Sequence, residues 1–318
     1  ICAAIGASFT GSLAITTTSG PGFALKAEAL GLAVMTELPL VVVDVQRGGP
    51  STGLPTKTEQ SDLMQALYGR NGESPVIVLA SSTPANCFDW AYMASKITLE
   101  HNTPVVLLSD GYLGNGTEPW KIKSIEDMPS IKPLLAMEGE EYQPYARDEK
   151  TLARKLALPG TKGLEHRLGS LEKEDITGNV SYDPENHEKM SYIRAEKIRR
   201  IAELIPEQEV FGEKQGDVLV VGWGGTHGSL YSAVDNLQKE GESIALCQFN
   251  HINPLPKNTA DIMNNYKMIV VCELNSGQFA NYLRINFQGI IFNQYNKIQG
   301  FPFTTSELEA HFKSLLKK

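Results

Sequence analysis

Hydrophobic positions along the chain fall into short runs, separated by stretches that repeat with a helical period. Leu13–Thr18 is rich in β-branched residues and predicts a strand, which Ser19-Gly20-Pro21-Gly22 breaks. Phe23, Ala27, Leu30 and Val34 then recur on one helical face as far as about Thr36. Leu40–Val45 is a nearly unbroken apolar run, the signature of a strand buried on both faces of a parallel sheet. A helix from Glu59 to about Tyr68 follows, then a strand at Val76–Ala80. Thr83-Pro84 supplies an N-cap and first-turn proline for a helix ending near His101, and Val105–Ser109 is a fourth strand. Strands alternating with helices of this length imply right-handed crossovers and helices on both faces of a parallel sheet.

The rhythm lapses between Gly114 and Pro206, where charge and turn residues dominate, most plainly in TKGLEHRLGS and GNVSYDPENHEK. This region closes on a helix from about His187 to Ile205. Its Arg194, Lys197, Arg199 and Arg200 read as the polar face of a solvated connector. From Gly216 the alternation returns. Strands are expected at Val218–Val221, Ile244–Phe249, Met268–Cys272 and Ile290–Asn293, with helices to about Lys239, near Ala260–Asn265 and from Asn275-Ser276-Gly277-Gln278. The expected organisation is therefore an α/β domain over residues 1–113, an irregular and helical linker over 114–206, and a second α/β domain over 207–318.

Composition narrows the function. Hydrophobic residues make up 42% of the 318, enough for real cores, and no apolar run approaches the roughly 20 residues of a membrane span. A net charge of −8 with no basic face argues against nucleic acid. Cys2, Cys87, Cys247 and Cys272 lie far apart without a CxxC pair. They read as free thiols in a reducing cytoplasm, not as ligands of zinc or of an iron–sulfur cluster. The histidines form no HExxH or close pair, and no GxSxG elbow occurs, so the chain carries no self-contained catalytic machine.

Four loops carry the candidate chemistry. Arg47 follows the Leu40–Val45 strand within Gln46-Arg47-Gly48-Gly49-Pro50, where ligands bind in open α/β sheets. Its guanidinium fork suits a carboxylate gripped at two points, although a surface arginine in a β–α loop is the plain alternative. Thr17 to Gly22, TTSGPG, can bring amides and a helix N-terminus up to a ligand, or serve only as a tight connection. VVGWGGTHG, from Val220 to Gly228, superficially suggests a dinucleotide fingerprint. Trp223 sits inside the turn and no acidic residue ends the next strand, so a close-packed turn is the better reading. In CELNSGQF, Cys272 to Phe279, the polar groups either meet a partner domain or cap a helix.

Together these residues resemble a family. The run AAIGASFTGSLAITTTSGPGFALKAEALGLAVMTELPLVVVDVQRGGPSTGLPTKTEQSDL is similar to the α subunit of 2-oxoacid:ferredoxin oxidoreductases, most of all to the 2-oxoglutarate type. The likeness is dense to about Tyr112 and sparser through TKGLEHRLG, YDPENHEKMSYIRAEK, GWGGTHG and ELNSGQ. It implies a pyrimidine-binding domain of the thiamine-diphosphate enzymes, followed by a transketolase C-terminal-like α/β domain that mainly packs and assembles. It further implies oxidative decarboxylation of a 2-oxoacid with coenzyme A, with electrons passed to ferredoxin. Thiamine diphosphate and Mg²⁺ would be shared with a separate β subunit carrying the iron–sulfur cluster, in an oligomer. No side chain does what the cofactor does in such chemistry, which agrees with the missing catalytic constellation.

Carried onto this chain, Thr18, Ser19, Gly20, Pro21 and Gly22 would lie against the aminopyrimidine, and Arg47 would hold the substrate carboxylate. The glutamate that activates the pyrimidine ring belongs upstream of Ile1 in the family. With Ile1–Ala7 reading as mid-helix, the expectation is a longer protein that has lost its beginning. The second carboxylate of 2-oxoglutarate needs another cation, and Lys57 and Arg70 are candidates by proximity. A non-catalytic scaffold with Arg47 as a structural ion pair stays open. A different thiamine enzyme of the decarboxylase or synthase kind is opposed by GGPSTGLPTKTEQSDL.

Overall fold

The computed structural model describes residues 1–317. Its strands are β1 (Ile15–Thr18), β2 (Leu40–Gln46), β3 (Ile77–Ala80), β4 (Pro104–Asp110), β5 (Gly216–Trp223), β6 (Ile244–Phe249), β7 (His251–Asn253), β8 (Tyr266–Glu273) and β9 (Phe292–Asn296). One sheet runs β1-β2-β4-β3-β7, parallel except for β7, and the other runs β6-β5-β8-β9, all parallel. The short β7 belongs by sequence to the second half of the chain but pairs antiparallel with β3 of the first sheet.

Alternation along β2 explains the layers. Leu40 and Val42 face a core shared with Phe23 and Leu30, Leu63, and Trp223, Phe249 and Phe279 of the second half. Val41 faces the opposite side with Ile77, Leu79, Val105 and Leu107, beneath the helices Asn86–His101 and Pro184–Arg200. A further core lies on the far side of the second sheet, under the helices His227–Lys239 and Thr305–Leu316. The first of these clusters is continuous from one sheet to the other.

Three local expectations are corrected. The helix expected from Glu59 begins at Leu63, because the backbone and side chain of Gln60 are bonded to the second half and cannot join a helical ladder. The single helix expected after Gly22, to about Thr36, is two pieces, and the first begins inside the expected break: Gly20–Leu25 and Ala27–Thr36. Arg194 and Lys197 do not decorate a solvated face, being 6% and 2% exposed. Lys197 Nζ reaches Glu37 at 2.7 Å, Arg147 grips the same carboxylate at 2.5 and 2.9 Å, and Arg194 reaches Glu172 at 3.1 Å. Glu37 caps the helix Ala27–Thr36 in a left-handed conformation and is itself buried, so its charge needs these partners. The linker is thereby bolted to the first sheet. No helix among the described residues is long and apolar enough to cross a membrane.

Candidate functional site

Parallel strands end together, and the ends of β1, β2 and β4 bring the candidate residues to one edge. Thr18 ends β1 in register with Asp44 of β2, and Gln46 ends β2 in register with Asp110 of β4. Ser19 leads into the helix Gly20–Leu25, with Pro21 in its first turn where a missing N–H costs nothing. Arg47 leads into a loop closed on itself: Gly48 N donates to Lys57 O at 2.8 Å, and Leu54 N donates to Gly48 O at 2.9 Å. Arg47 is half-exposed as a residue, and its guanidinium donates to Thr52 O across that loop. It makes no ion pair within 4 Å among the described residues, so a structural salt bridge does not account for it.

The remaining loop, residues 58–62, is held from three sides. Gln46 spans the ends of two strands, donating to Ser109 O at 3.2 Å and accepting from Asp62 N at 3.1 Å. Asp110 is wholly buried and accepts from Tyr112 N, Leu113 N, Thr58 Oγ1 and Gly225 N at 2.8 to 3.2 Å. Burial pushes the Asp110 carboxyl up, and those four donors hold it back. Gly225 belongs to the GWGGTHG turn. A Cβ there would stand 2.3 Å from Asp110 Oδ2, so the close approach requires glycine. That motif is a packed turn aimed at the first sheet, with Trp223 fully buried and its indole N–H on Glu273 Oε2 at 3.2 Å.

The third side is Gln60, also fully buried. Its N–H donates to Leu274 O and its Oε1 accepts from Leu274 N, both at 3.0 Å. Its Nε2 donates to Trp223 O at 2.6 Å, and its carbonyl accepts from Asn275 at 2.7 Å. Gln278 adds bonds to Ser61 O at 2.7 Å and Met64 N at 2.9 Å. Both open readings of CELNSGQF therefore hold at once. Asn275 and Gln278 meet the first half, while Glu273 accepts from Phe279 N and Ala280 N at 2.8 and 3.0 Å, capping the helix Gln278–Asn286. The second half thus grips the stretch that follows the Arg47 loop, at Gln60, Ser61 and Met64.

Of the two cations considered for a second carboxylate, Arg70 is spent. Its Nε, Nη1 and Nη2 all donate to carbonyls of Ala66, Leu67 and Ser74. It lines a cleft of about 680 Å³ near the start of β3, with Tyr68, Tyr192 and Tyr282, at the opposite ends of the strands from Arg47. Lys57 is exposed, its ammonium 4.7 Å from the Phe301 ring centroid. All four cysteines are free, Cys247 and Cys272 buried, Cys87 half-buried and Cys2 exposed. No group of three His, Cys, Asp or Glu that could hold a metal occurs among the described residues.

Sequence reasoning overlooked Asp44, Gln46, Gln60, Asp62 and Asp110. A signal existed for Asp44 alone: a carboxylate inside VVVDVQ, a strand otherwise buried on both faces, demands a partner.

The profile described as pyruvate flavodoxin/ferredoxin oxidoreductase, thiamine diphosphate-binding, matches residues 1–182. The chain is 49% identical over 318 residues to 2-oxoglutarate oxidoreductase subunit KorA of Mycobacterium tuberculosis, covering 99% of this chain and 48% of the relative. It is 34% identical over 281 residues to 2-oxoglutarate synthase subunit KorA of Methanocaldococcus jannaschii, covering 87% and 74%. A solved 2-oxoglutarate:ferredoxin oxidoreductase from Magnetococcus marinus, with 2-oxoglutarate, coenzyme A and succinyl-CoA bound, superposes with a TM-score of 0.93 at 34% identity, over 99% of this chain and 55% of that one. The chain spans about half the length of several curated relatives that it matches.

Proposed function

This chain belongs to the pyruvate flavodoxin/ferredoxin oxidoreductase family, and we propose that it forms α-subunit structure of an enzyme that oxidatively decarboxylates 2-oxoglutarate, or a related 2-oxoacid, to the acyl-CoA. Ferredoxin is the electron acceptor, and a β subunit completes the site in a cytoplasmic oligomer. Residues 1–113 then form the pyrimidine-side domain, 114–206 a connector, and 207–318 the transketolase C-terminal-like domain.

The carrying observation is the adjacency of the strands that two loops follow. The Ser19–Gly22 turn and the Arg47 loop emerge from the same ends of adjacent parallel strands. The residues fit one side of thiamine diphosphate. Thr18 and Ser19 are half-buried with hydroxyls at the strand end, suited to a heteroaromatic edge, and the first amides of a helix follow. The diphosphate, its Mg²⁺ and the iron–sulfur cluster are assigned in this proposal to the β subunit. When bound, the thiazolium supplies the electron sink that no side chain can. This chain's part is to bind and orient. Thr18 to Gly22 back the aminopyrimidine, and Arg47 fixes the 2-oxoacid carboxylate so that its carbonyl carbon is held for attack. Lys57 is the cation left for a distal carboxylate.

Co-expression with the β subunit, followed by a screen of 2-oxoacids with coenzyme A and an artificial electron acceptor, tests the reading. Turnover strongest with 2-oxoglutarate supports it. An assembled, cofactor-loaded complex that turns over no 2-oxoacid overturns it.

A further inference from the structure

Behind the two loops lies a pair of carboxyls that binding and orientation do not use. Asp44 points to the same face of β2 as Leu40, Val42 and Gln46, and it is completely buried. Asp62 lies beside it: its backbone N–H is bonded at 3.1 Å to Gln46 Oε1, two residues along the same face of β2, and its carboxyl interacts with that of Asp44. Neither Asp44 oxygen, nor Asp62 Oδ2, receives a donor from any other described residue. Asp62 also lies against the cofactor-side turn, since a Cβ on Gly20 would stand 2.6 Å from Asp62 Oδ2. Thr18, at the start of that turn, is in register with Asp44 itself. The pair therefore sits between the Ser19–Gly22 turn and the base of the Arg47 loop.

Two carboxylates facing each other without donors in a dry site repel. One proton converts the contact into an O–H···O⁻ hydrogen bond. We propose that Asp44 and Asp62 share a single proton and act as a positioning pair, locking the Arg47 loop onto the Ser19–Gly22 turn. The pair's effect on catalysis rests on the function proposed above; the proton itself does not.

The charged groups facing the pair are accounted for. Lys26, at the end of the helix Gly20–Leu25, faces Asp44, while Glu59 and Arg47 face Asp62. Burial, then the Asp62 charge, raises Asp44 from 3.8 to about 8, with Lys26 opposing. Burial likewise raises Asp62 to about 6; the hydrogen bond with Asp44 opposes most, Glu59 adds to the rise and Arg47 opposes it. The sign follows from a folded pKa above the unfolded one. The stability contributed is fully present below the unfolded value and is lost as pH rises through the folded one.

The test compares wild type with Asp44→Asn, whose amide donates to Asp62 without needing a proton. Thermal unfolding of the chain is followed from about pH 6 to about pH 9. Wild type should lose Tm on the order of 5 °C or more relative to Asp44→Asn across that range. Amide exchange at Gly48, Leu54 and Lys57, corrected for intrinsic rates, should lose protection in wild type alone. In the assembled enzyme, wild-type kcat/KM should fall at least ~10-fold at the alkaline end while Asp44→Asn falls less. Parallel Tm–pH curves overturn the shared proton. A flattened Tm curve with unchanged loop protection overturns the lock. An assembly that turns over no 2-oxoacid defeats the proposed function instead, and loop protection then decides the lock alone. Should Asp44→Asn not fold, Asp62→Asn makes the same amide–carboxyl pair and is judged by the same curves.

Discussion

Replacing Gln60 by alanine should cost the chain about 2–4 kcal/mol, although Gln60 touches neither candidate loop's working side chain. The figure comes from what the side chain leaves behind. Its Oε1 accepts from Leu274 N at 3.0 Å and its Nε2 donates to Trp223 O at 2.6 Å. Trp223 O keeps a second partner, the Thr226 hydroxyl at 2.7 Å, so that acceptor stays satisfied. Leu274 N–H has no such reserve, and at 1% exposure it cannot turn to water. One orphaned donor costs roughly 1–3 kcal/mol, and the lost methylene with its cavity adds about 1 kcal/mol more.

Gln60→Glu sharpens the test. The isosteric carboxylate sets an oxygen where Nε2 met Trp223 O, and buries an unpaired charge. It should therefore destabilise more than alanine at neutral pH, by roughly 3–5 kcal/mol. Its raised pKa means that the deficit shrinks as pH falls and the new carboxyl takes up a proton. Urea denaturation at about pH 7 and about pH 5, followed by tryptophan fluorescence and checked for a constant slope, reads both effects. Gln60→Ala within about 0.5 kcal/mol of wild type would refute the reasoning. So would a Gln60→Glu variant more stable than Gln60→Ala at both pH values.

In the reconstituted enzyme, Arg47→Lys should lower kcat/KM at least ~10-fold and Arg47→Ala further, because the two-point fork and then the charge are lost. Wild-type kcat/KM in a stable, assembled Arg47→Ala enzyme would sink that assignment. Glu37→Gln should cost roughly 3–5 kcal/mol by stranding buried Lys197 and Arg147, as measured by denaturation, and a loss under about 1 kcal/mol contradicts it. Burial alone would raise the Glu37 carboxyl, yet Lys197 and Arg147 hold it well below its ordinary 4.5. That stability is present above the unfolded pKa and lost as pH falls below it, so Glu37→Gln should show a shallower acid transition. Gly225→Ala puts a methyl 2.3 Å from Asp110 Oδ2 and should cost about 1–3 kcal/mol; an unchanged denaturation midpoint counts against it.

What could be read in advance was whatever repeats locally. The parallel strands of both sheets, the Arg47 loop and the packed GWGG turn follow from runs, periods and turn residues within about ten positions of each other. The errors have a common cause. The helix expected at Glu59 starts late because Gln60 is bonded to residues 163 and 214 positions away. Arg194 and Lys197 look solvated in sequence because Glu172 and Glu37 lie 22 and 160 positions off. The three-residue β7 is too short for any period, and its partner strand ended more than a hundred residues earlier. Long-range pairing of polar groups leaves no local pattern.

That pairing explains why the chain invests so much buried polarity between its two sheets. A buried polar network specifies one geometry only when every member is satisfied. Asp110 has four donors and Gln60 makes four bonds, all to fixed backbone or short side chains. These anchors leave the stretch from Thr58 to Asp62 little freedom, and Gly48 N bonded to Lys57 O ties the base of the Arg47 loop to that stretch. An arginine that orients a small carboxylate loses most of its effect when displaced by about 1 Å. The placement of Arg47 is thus set by residues buried behind its loop. The second sheet, through Trp223, Gly225, Leu274, Asn275 and Gln278, is part of the frame on which the proposed substrate contact is built.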